Sequence, residues 1–302
     1  MGKNTAAHLT AFLTILIWGT TFIATKVLLR DFTPVEILFS RFTLGFLALS
    51  CVPGGIHFTT FRNELLFAGA GFSGVTLYFL FENIALQYTL VSNVGILVTV
   101  APFFTALLSR FFGKKEPLYP AFFIGFLLAL GGIALISFNG SVILKLNPAG
   151  DILAILAALV WAVYSIFMKR IGELGYPMIP ATRRVFFYGL LLMIPALFFM
   201  DFHPALRQML KPVNLFNFAY LGLGASALCF ATWNWTLKIL GAVRVSIYIY
   251  LVPVIAVIAA VLILHERMTP MALAGIILTL FGLFVSEIRN TGPLMKRMLS
   301  RK

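Results

Sequence analysis

Glu82 is the one carboxylate set well inside an apolar block; the other acidic residues lie in links, in tails or at block ends. In a chain this apolar, a charge at such depth has little solvation and must be paired or protonated. Lys26 lies at a similar depth near the outer end of the first block. A structural Lys26–Glu82 pair is therefore the first expectation, with substrate-amine recognition or proton coupling as the functional alternatives. Tyr78 lies four residues before Glu82 and shares its helical face. Similar faces carry Trp18, Thr21 and Thr25; Trp161, Tyr164, Ser165 and Met168; Trp233 and Asn234; and Ser246 and Tyr250. Rings interleaved with hydroxyl and amide groups suit the lining of a cavity for a small amphipathic solute. A single Trp or Tyr can equally be an interfacial anchor or a packing residue. That reading weighs most on Trp233 to Trp235, near a block end, and least on Trp18 and Trp161, whose mid-block depth is wrong for an interfacial belt.

Other chemistry lacks its residues. His8, His57, His203 and His265 are scattered without metal-ligand spacing, and there is no nucleophile elbow, phosphate-binding glycine loop or paired-His helix. No metal, cofactor or enzymatic activity is expected. Cys51 and Cys229 sit far apart inside apolar stretches and are expected as buried thiols, not as a disulfide. Gly2 fails the myristoylation pattern because position 6 is Ala.

The elements that must position these residues follow from composition. The chain has 302 residues, 61% hydrophobic and 11% charged, with a mean hydropathy of +0.99. That is too little polar surface to cover a soluble globule, and it excludes a disordered chain, a nucleic-acid-binding domain and almost any cytosolic enzyme. An all-α integral membrane protein remains. Apolar blocks between charges and Pro/Gly punctuation predict ten transmembrane helices: Leu9 to Leu29, Val35 to Val52, Leu65 to Leu86, Val91 to Phe112, Ala121 to Phe138, Ile152 to Met168, Thr182 to Met200, Leu215 to Leu237, Val245 to Leu264 and Met271 to Val285. The first block runs past the length of a signal-peptide core without a small-residue cleavage site and reads as a retained span. The net charge of +13 is mostly topology. With the N-terminus inside, most of the 23 Lys and Arg fall on the cytoplasmic face, so both termini are expected there and the Gln87 to Leu90 link outside.

The blocks are duplicated. Trp18, Lys26, Pro34 and Arg41 recur in order as Trp161, Lys169, Pro177 and Arg184. Asn83, Leu86 and Pro102 recur as Asn234, Leu237 and Pro253, and Glu116, Pro120, Gly125 and Gly132 as Glu266, Pro270, Gly275 and Gly282. Residues 1–144 are thus expected to form a first five-helix repeat, 145–288 a second, and 289–302 a basic cytoplasmic tail against anionic headgroups. Five is odd, so the second repeat is inverted about an axis in the membrane plane, an arrangement secondary transporters use to expose a midplane site to either side in turn. Pro102 and Pro253, at mirrored mid-span positions, should kink their helices and serve as hinges. Glu82 has Trp233 as its mirror position, so its role belongs to one repeat alone.

These features resemble the EamA-type members of the drug/metabolite transporter superfamily. The resemblance covers nearly the whole chain. It is carried by the Trp18-Gly19-Thr20-Thr21-Phe22 run with Lys26, its weaker copy from Trp161 to Lys169, the mid-span Pro102 and Pro253, and Glu116 and Glu266 before the Gly-rich fifth and tenth spans. It implies a basket of helices around a central substrate cavity, and it looks most like the bacterial exporters of aromatic amino acids. The expectation is a secondary transporter of the bacterial inner membrane, partnered by a small-molecule substrate and the lipid bilayer, without nucleic acid, and monomeric. Export of aromatic and other neutral amino acids is the leading reading. A drug-like amine or a sugar nucleotide is the alternative cargo, and a channel or scaffold the alternative class. The second copy departs from the first, with Ala162, Val163 and Tyr164 in place of Gly19, Thr20 and Thr21.

Overall fold

The computed structural model describes residues 2–54, 58–88, 94, 97–112, 119–138, 147–203, 205–264 and 269–287. The side chains of Lys26 and Gln87, residues 89–93, Glu116, Glu266 and the basic tail lie outside the described residues. The elements are α1 (Lys3–Leu28), α2 (Pro34–Ser50), α3 (Phe61–Gly71), a π-helical stretch (Phe72–Leu77), α4 (Tyr78–Tyr88), α5 (Ala101–Phe112), α6 (Pro120–Phe138), α7 (Pro148–Glu173), α8 (Met178–Phe199), α9 (Leu206–Met209), α10 (Pro212–Ala219), a second π-helical stretch (Tyr220–Leu228), α11 (Cys229–Leu240), α12 (Ala242–Ile247), a 3-10 turn (Tyr248–Tyr250), α13 (Leu251–Leu264) and α14 (Pro270–Glu287). α3 and α4 with their π stretch make the third span, α10 and α11 with theirs the eighth, and α12 and α13 the ninth. The chain is an all-helical membrane protein of ten spans. Residues such as Leu127, Phe198, Phe199 and Phe216 on its flanks are strongly exposed, as a face solvated by lipid requires.

Local signals set the helix ends. Thr33 caps α2: its hydroxyl accepts from the Glu36 N–H, the Glu36 carboxylate accepts from the Thr33 N–H at 2.7 Å, and Pro34 opens the helix. Asn147 caps α7 ahead of Pro148. Gly241, at φ 89°, ends α11 and passes the chain directly to α12, a conformation that other residues rarely adopt. α2 stops at Ser50, so Cys51 is exposed instead of buried as its apolar block implied, while Cys229 is buried; both are free thiols.

Packing makes the inversion concrete. α6 and α14 cross antiparallel at glycines: a Cβ on Gly132 would lie 2.6 Å from the Gly275 carbonyl oxygen, and one on Gly282 would lie 2.7 Å from that of Gly125. The repeat exchanges Gly125 with Gly275 and Gly132 with Gly282. It therefore maps this pair of contacts onto itself, as a local two-fold axis must. A second mirrored pair joins the third span to α8 and the eighth to α2. Gly71 abuts the Val185 carbonyl while Thr76 donates to the Gly189 carbonyl at 2.8 Å, and Gly222 abuts the Arg41 carbonyl. Backbones can approach this closely only where side chains are absent. The two π stretches occupy corresponding places in the two halves.

Candidate functional site

Trp18, halfway along α1, points at the second π stretch, and its indole N–H donates to the Ala225 carbonyl at 2.9 Å. A π turn shifts the hydrogen-bond ladder by one residue and leaves a carbonyl available to another partner, which is one reason such turns recur at functional sites. Held there, the Trp18 ring meets Trp161 edge-on at 5.5 Å between centroids, Trp233 at 5.0 Å and Phe230 at 5.6 Å. Trp161 in turn meets Tyr78 at 4.9 Å and Tyr164 at 5.1 Å. These rings come from α1, α4, α7 and α11, in separations and tilts typical of favourable aromatic pairs. Trp161 is 5% exposed and Trp233 and Tyr164 are fully buried, so the rings close on one another. The indole N–H groups of Trp161 and Trp233 have no acceptor among the described residues.

Polar groups fix the far side of this cluster. Tyr164 donates to the Asn234 side-chain oxygen at 2.7 Å, Asn234 donates to the Thr182 hydroxyl at 3.0 Å, and Thr182 donates to the Met178 carbonyl at 2.7 Å. The chain of bonds ties α7, α8 and α11 together, and Gly74 in the first π stretch leaves the space the Tyr164 ring occupies. Thr21 and Ser165 donate back to the carbonyls of Trp18 and Trp161, one turn earlier in their own helices.

Glu82 is half-buried and accepts a 3.3 Å hydrogen bond from the Tyr78 hydroxyl. Its electrostatic partner is Arg41 of α2. Arg41 is 7% exposed, donates through Nε to the Ser226 hydroxyl at 3.0 Å, and lies over the rings of Phe79 at 5.0 Å and Phe42 at 5.3 Å. The signal that could have found it was in plain view: a cation inside an apolar block costs too much to be idle. The expected Lys26–Glu82 pair falls on a side chain outside the described residues.

Two expected lining residues lie elsewhere. Tyr250 packs in a second cluster with Ile133, Val243 and Ile247, 6.4 Å from the Phe126 ring, and its hydroxyl has no partner among the described residues. Ser246 is buried and donates to the Val243 carbonyl in its own helix. Val243, Ile247 and Tyr250 stand at helical spacing, so this face of the ninth span packs against Phe126 and Ile133 and not against the tryptophans. A 3-10 turn covers Tyr248–Tyr250. The same turn sits just before Pro253. Its mirror is a turn at Thr99 and Val100 just before Pro102, where Val100 N–H bonds to the Leu97 carbonyl and Phe103 N–H to the Val100 carbonyl, both three residues back. Each helix is thus interrupted one turn ahead of its proline.

Polar contacts also close both ends of the bundle. Where α2 ends and α3 and α8 begin, Arg184 pairs with Glu64 at 3.1 Å and lies 4.5 Å from the Phe67 ring centroid. Tyr188 donates to the same carboxylate at 2.8 Å, and the neighbouring Arg183 donates to the Val52 carbonyl at 3.2 Å. At the opposite end Glu36 accepts from the His203 N–H at 2.8 Å, and Asp31 accepts from Asn214 at 2.7 Å and from Lys211 at 3.3 Å. The Asn214 bond, then the Lys211 bond, hold the Asp31 carboxyl below the usual carboxylate range. Among the described residues no cluster of His, Cys, Asp and Glu could hold a metal ion.

The arrangement has known counterparts. Residues 5–138 and 148–287 each match the model of the EamA-like transporter family. An uncharacterized transporter of Archaeoglobus fulgidus is 28% identical, over 95% of this chain and 99% of its own. A probable amino-acid metabolite efflux pump of Escherichia coli is 28% identical, over 91% of this chain and 93% of its own. A probable terminal-alkyne amino-acid exporter of Streptantibioticus cattleyicolor is 27% identical, over 93% of each. A solved crystal structure superimposes with a TM-score of 0.77 at 20% identity, covering 94% of this chain and 98% of that one, a likeness of fold.

Proposed function

We propose that this chain, which belongs to the EamA-like transporter family, is a secondary transporter that exports aromatic and other neutral amino acids by alternating access. The carrying observation is the ring cluster of Trp18, Tyr78, Trp161 and Trp233, drawn from both halves of the chain onto their shared axis. Such a cluster can part to admit an aromatic or apolar side chain and exchange ring–ring contacts for ring–substrate contacts of similar energy. Two relatives named for amino-acid export or efflux support the same cargo.

In this reading residues 1–144 and 145–288 are the two mechanical halves, and both termini are cytoplasmic. The Glu64–Arg184 network is then the cytoplasmic closure, and the contacts of Glu36 and Asp31 lie on the outer side. The interrupted helices before Pro102 and Pro253 are the joints, since a missing backbone donor lowers the resistance to bending there. Binding of a panel of radiolabelled amino acids to the purified protein tests the cargo. Saturable binding of phenylalanine and tryptophan, weaker for small polar amino acids, is expected; binding of none of them overturns the reading.

A further inference from the structure

Two opposite charges, Arg41 and Glu82, lie within the spans without forming a direct salt bridge. Arg41 uses only its Nε, toward Ser226, among the described residues, and Glu82 takes one long bond from Tyr78. The two terminal nitrogens of the guanidinium, the pair that grips a carboxylate in fork geometry, have no partner among the described residues. The residue is nevertheless buried, with its guanidinium carbon 5.3 Å from the Phe42 ring centroid and 5.0 Å from that of Phe79. Arg41 is therefore held in place by its Nε bond and its ring contacts, with its fork left open. A buried cation and a half-buried anion held apart are costly unless a third group completes them, because each lacks the partner that would offset its desolvation.

The mirror residue behaves differently. Arg184, which corresponds to Arg41 in the repeat, is closed onto Glu64 in a direct ion pair. The position that corresponds to Glu64 in the second half is Leu215, so Arg41 has no acid in the equivalent place. The chain has kept one arginine of the pair satisfied and left the other open, beside the rings. Phe79, under the guanidinium, touches Tyr78 at 4.8 Å, and Tyr78 links Glu82 to Trp161.

We propose that Arg41 and Glu82 together read the two charges of an α-amino acid zwitterion, the guanidinium fork of Arg41 taking the carboxylate and Glu82 the ammonium. This rests on the amino-acid reading above and specifies it: the rings select the side chain, and the separated pair demands both charges of the main-chain group. The pair cancels in net charge and so does its ligand, so the complex enters the low-dielectric interior as a neutral whole. A carboxylic acid without the amine, or an amine without the acid, would leave one buried charge facing nothing.

The test compares L-phenylalanine, L-phenylalaninamide and 3-phenylpropionate as ligands of the purified full chain in detergent. The wild type should bind phenylalanine about 10- to 150-fold more tightly than either analogue, the range expected for losing a charge-assisted hydrogen-bonded contact. Arg41→Lys keeps the charge and removes the fork; it should weaken phenylalanine by that factor and leave phenylalaninamide nearly unchanged. Glu82→Gln should weaken phenylalanine and phenylalaninamide and spare 3-phenylpropionate. Equal weakening of all three ligands in Arg41→Lys, or no change in any, overturns the assignment while leaving the exporter reading intact. Failure of the wild type to bind phenylalanine at all overturns the exporter reading and the assignment with it.

Discussion

Trp18 and Trp161, which occupy the same place in the two halves of the chain, meet edge to face with ring centroids 5.5 Å apart. Residues related by an approximate two-fold axis can touch only near that axis, so the contact marks it, as the Gly125–Gly282 and Gly132–Gly275 approaches do between α6 and α14. A solute bound between the two indoles is held by both halves at once. Its binding is then coupled to their relative motion through direct contact, without a relay.

Replacing Trp18 or Trp161 by Ala should weaken binding of an aromatic substrate roughly 2- to 13-fold, from a ring–ring contribution of about 0.5 to 1.5 kcal/mol, and more if apolar burial is also lost. Tyr250→Phe removes a hydroxyl that has no partner among the described residues and should leave binding unchanged and stability equal or higher. Titration of the purified variants with labelled phenylalanine checks both, and normal affinity in both tryptophan variants would remove the rings from the site.

Much of the fold is legible in the sequence. The ten spans follow from block length and the inversion from an odd number of spans per repeat. Mid-span depth and duplication single out Trp18 and Trp161 as inward-facing, and their direct contact comes from the fold. The missing parts are those that depend on hydrogen-bond register. Nothing in Phe72–Leu77 or Tyr220–Leu228 announces a π turn, because that register is chosen by tertiary contacts such as Thr76 to Gly189 and Trp18 to Ala225. Helical spacing puts Ser246 and Tyr250 on one face but does not say which neighbour that face meets, and Tyr250 packs with Phe126 and Ile133. Arg41 is legible only as the repeat counterpart of Arg184, and its burial against Phe42, Phe79 and Ser226 comes from the fold.

The glycine crossing gives a sharp stability test. Gly132→Ala would place a Cβ 2.5 Å from the Thr279 nitrogen, where only backbone movement can relieve the overlap, and should cost about 1 to 3 kcal/mol or more. Its neighbour Gly131 has nothing nearer than the Leu278 side chain at 3.6 Å, so Gly131→Ala should be neutral or stabilising by up to about 1 kcal/mol through helix propensity. Thermal unfolding in detergent should separate the two variants in opposite directions.

At the end of the bundle closed by Glu64, Glu64→Gln removes the charge that Arg184 faces, and the loss should be about 1.5 to 3 kcal/mol. Adding Arg184→Gln should cost less than Arg184→Gln costs alone, because the ion pair is already broken. A thermal-shift double-mutant cycle measures the coupling; strictly additive losses would show that the two residues act separately.

Pro102→Ala and Pro253→Ala each restore a backbone donor where the helix is interrupted one turn ahead. Transport should slow while substrate affinity in at least one orientation is kept. Full transport rates in both, or equal loss of binding and transport, would assign these prolines to packing alone.

The most direct measurement is counterflow. Proteoliposomes of the purified chain, preloaded with unlabelled phenylalanine and diluted into a trace of labelled phenylalanine, should show transient accumulation of label above equilibrium, because a carrier whose site faces one side at a time exchanges solute for solute. The overshoot should be suppressed by excess external tryptophan and reduced in Trp161→Ala. Label that merely equilibrates at a rate linear in concentration and indifferent to tryptophan would contradict the account, since that is how a channel or a leak behaves.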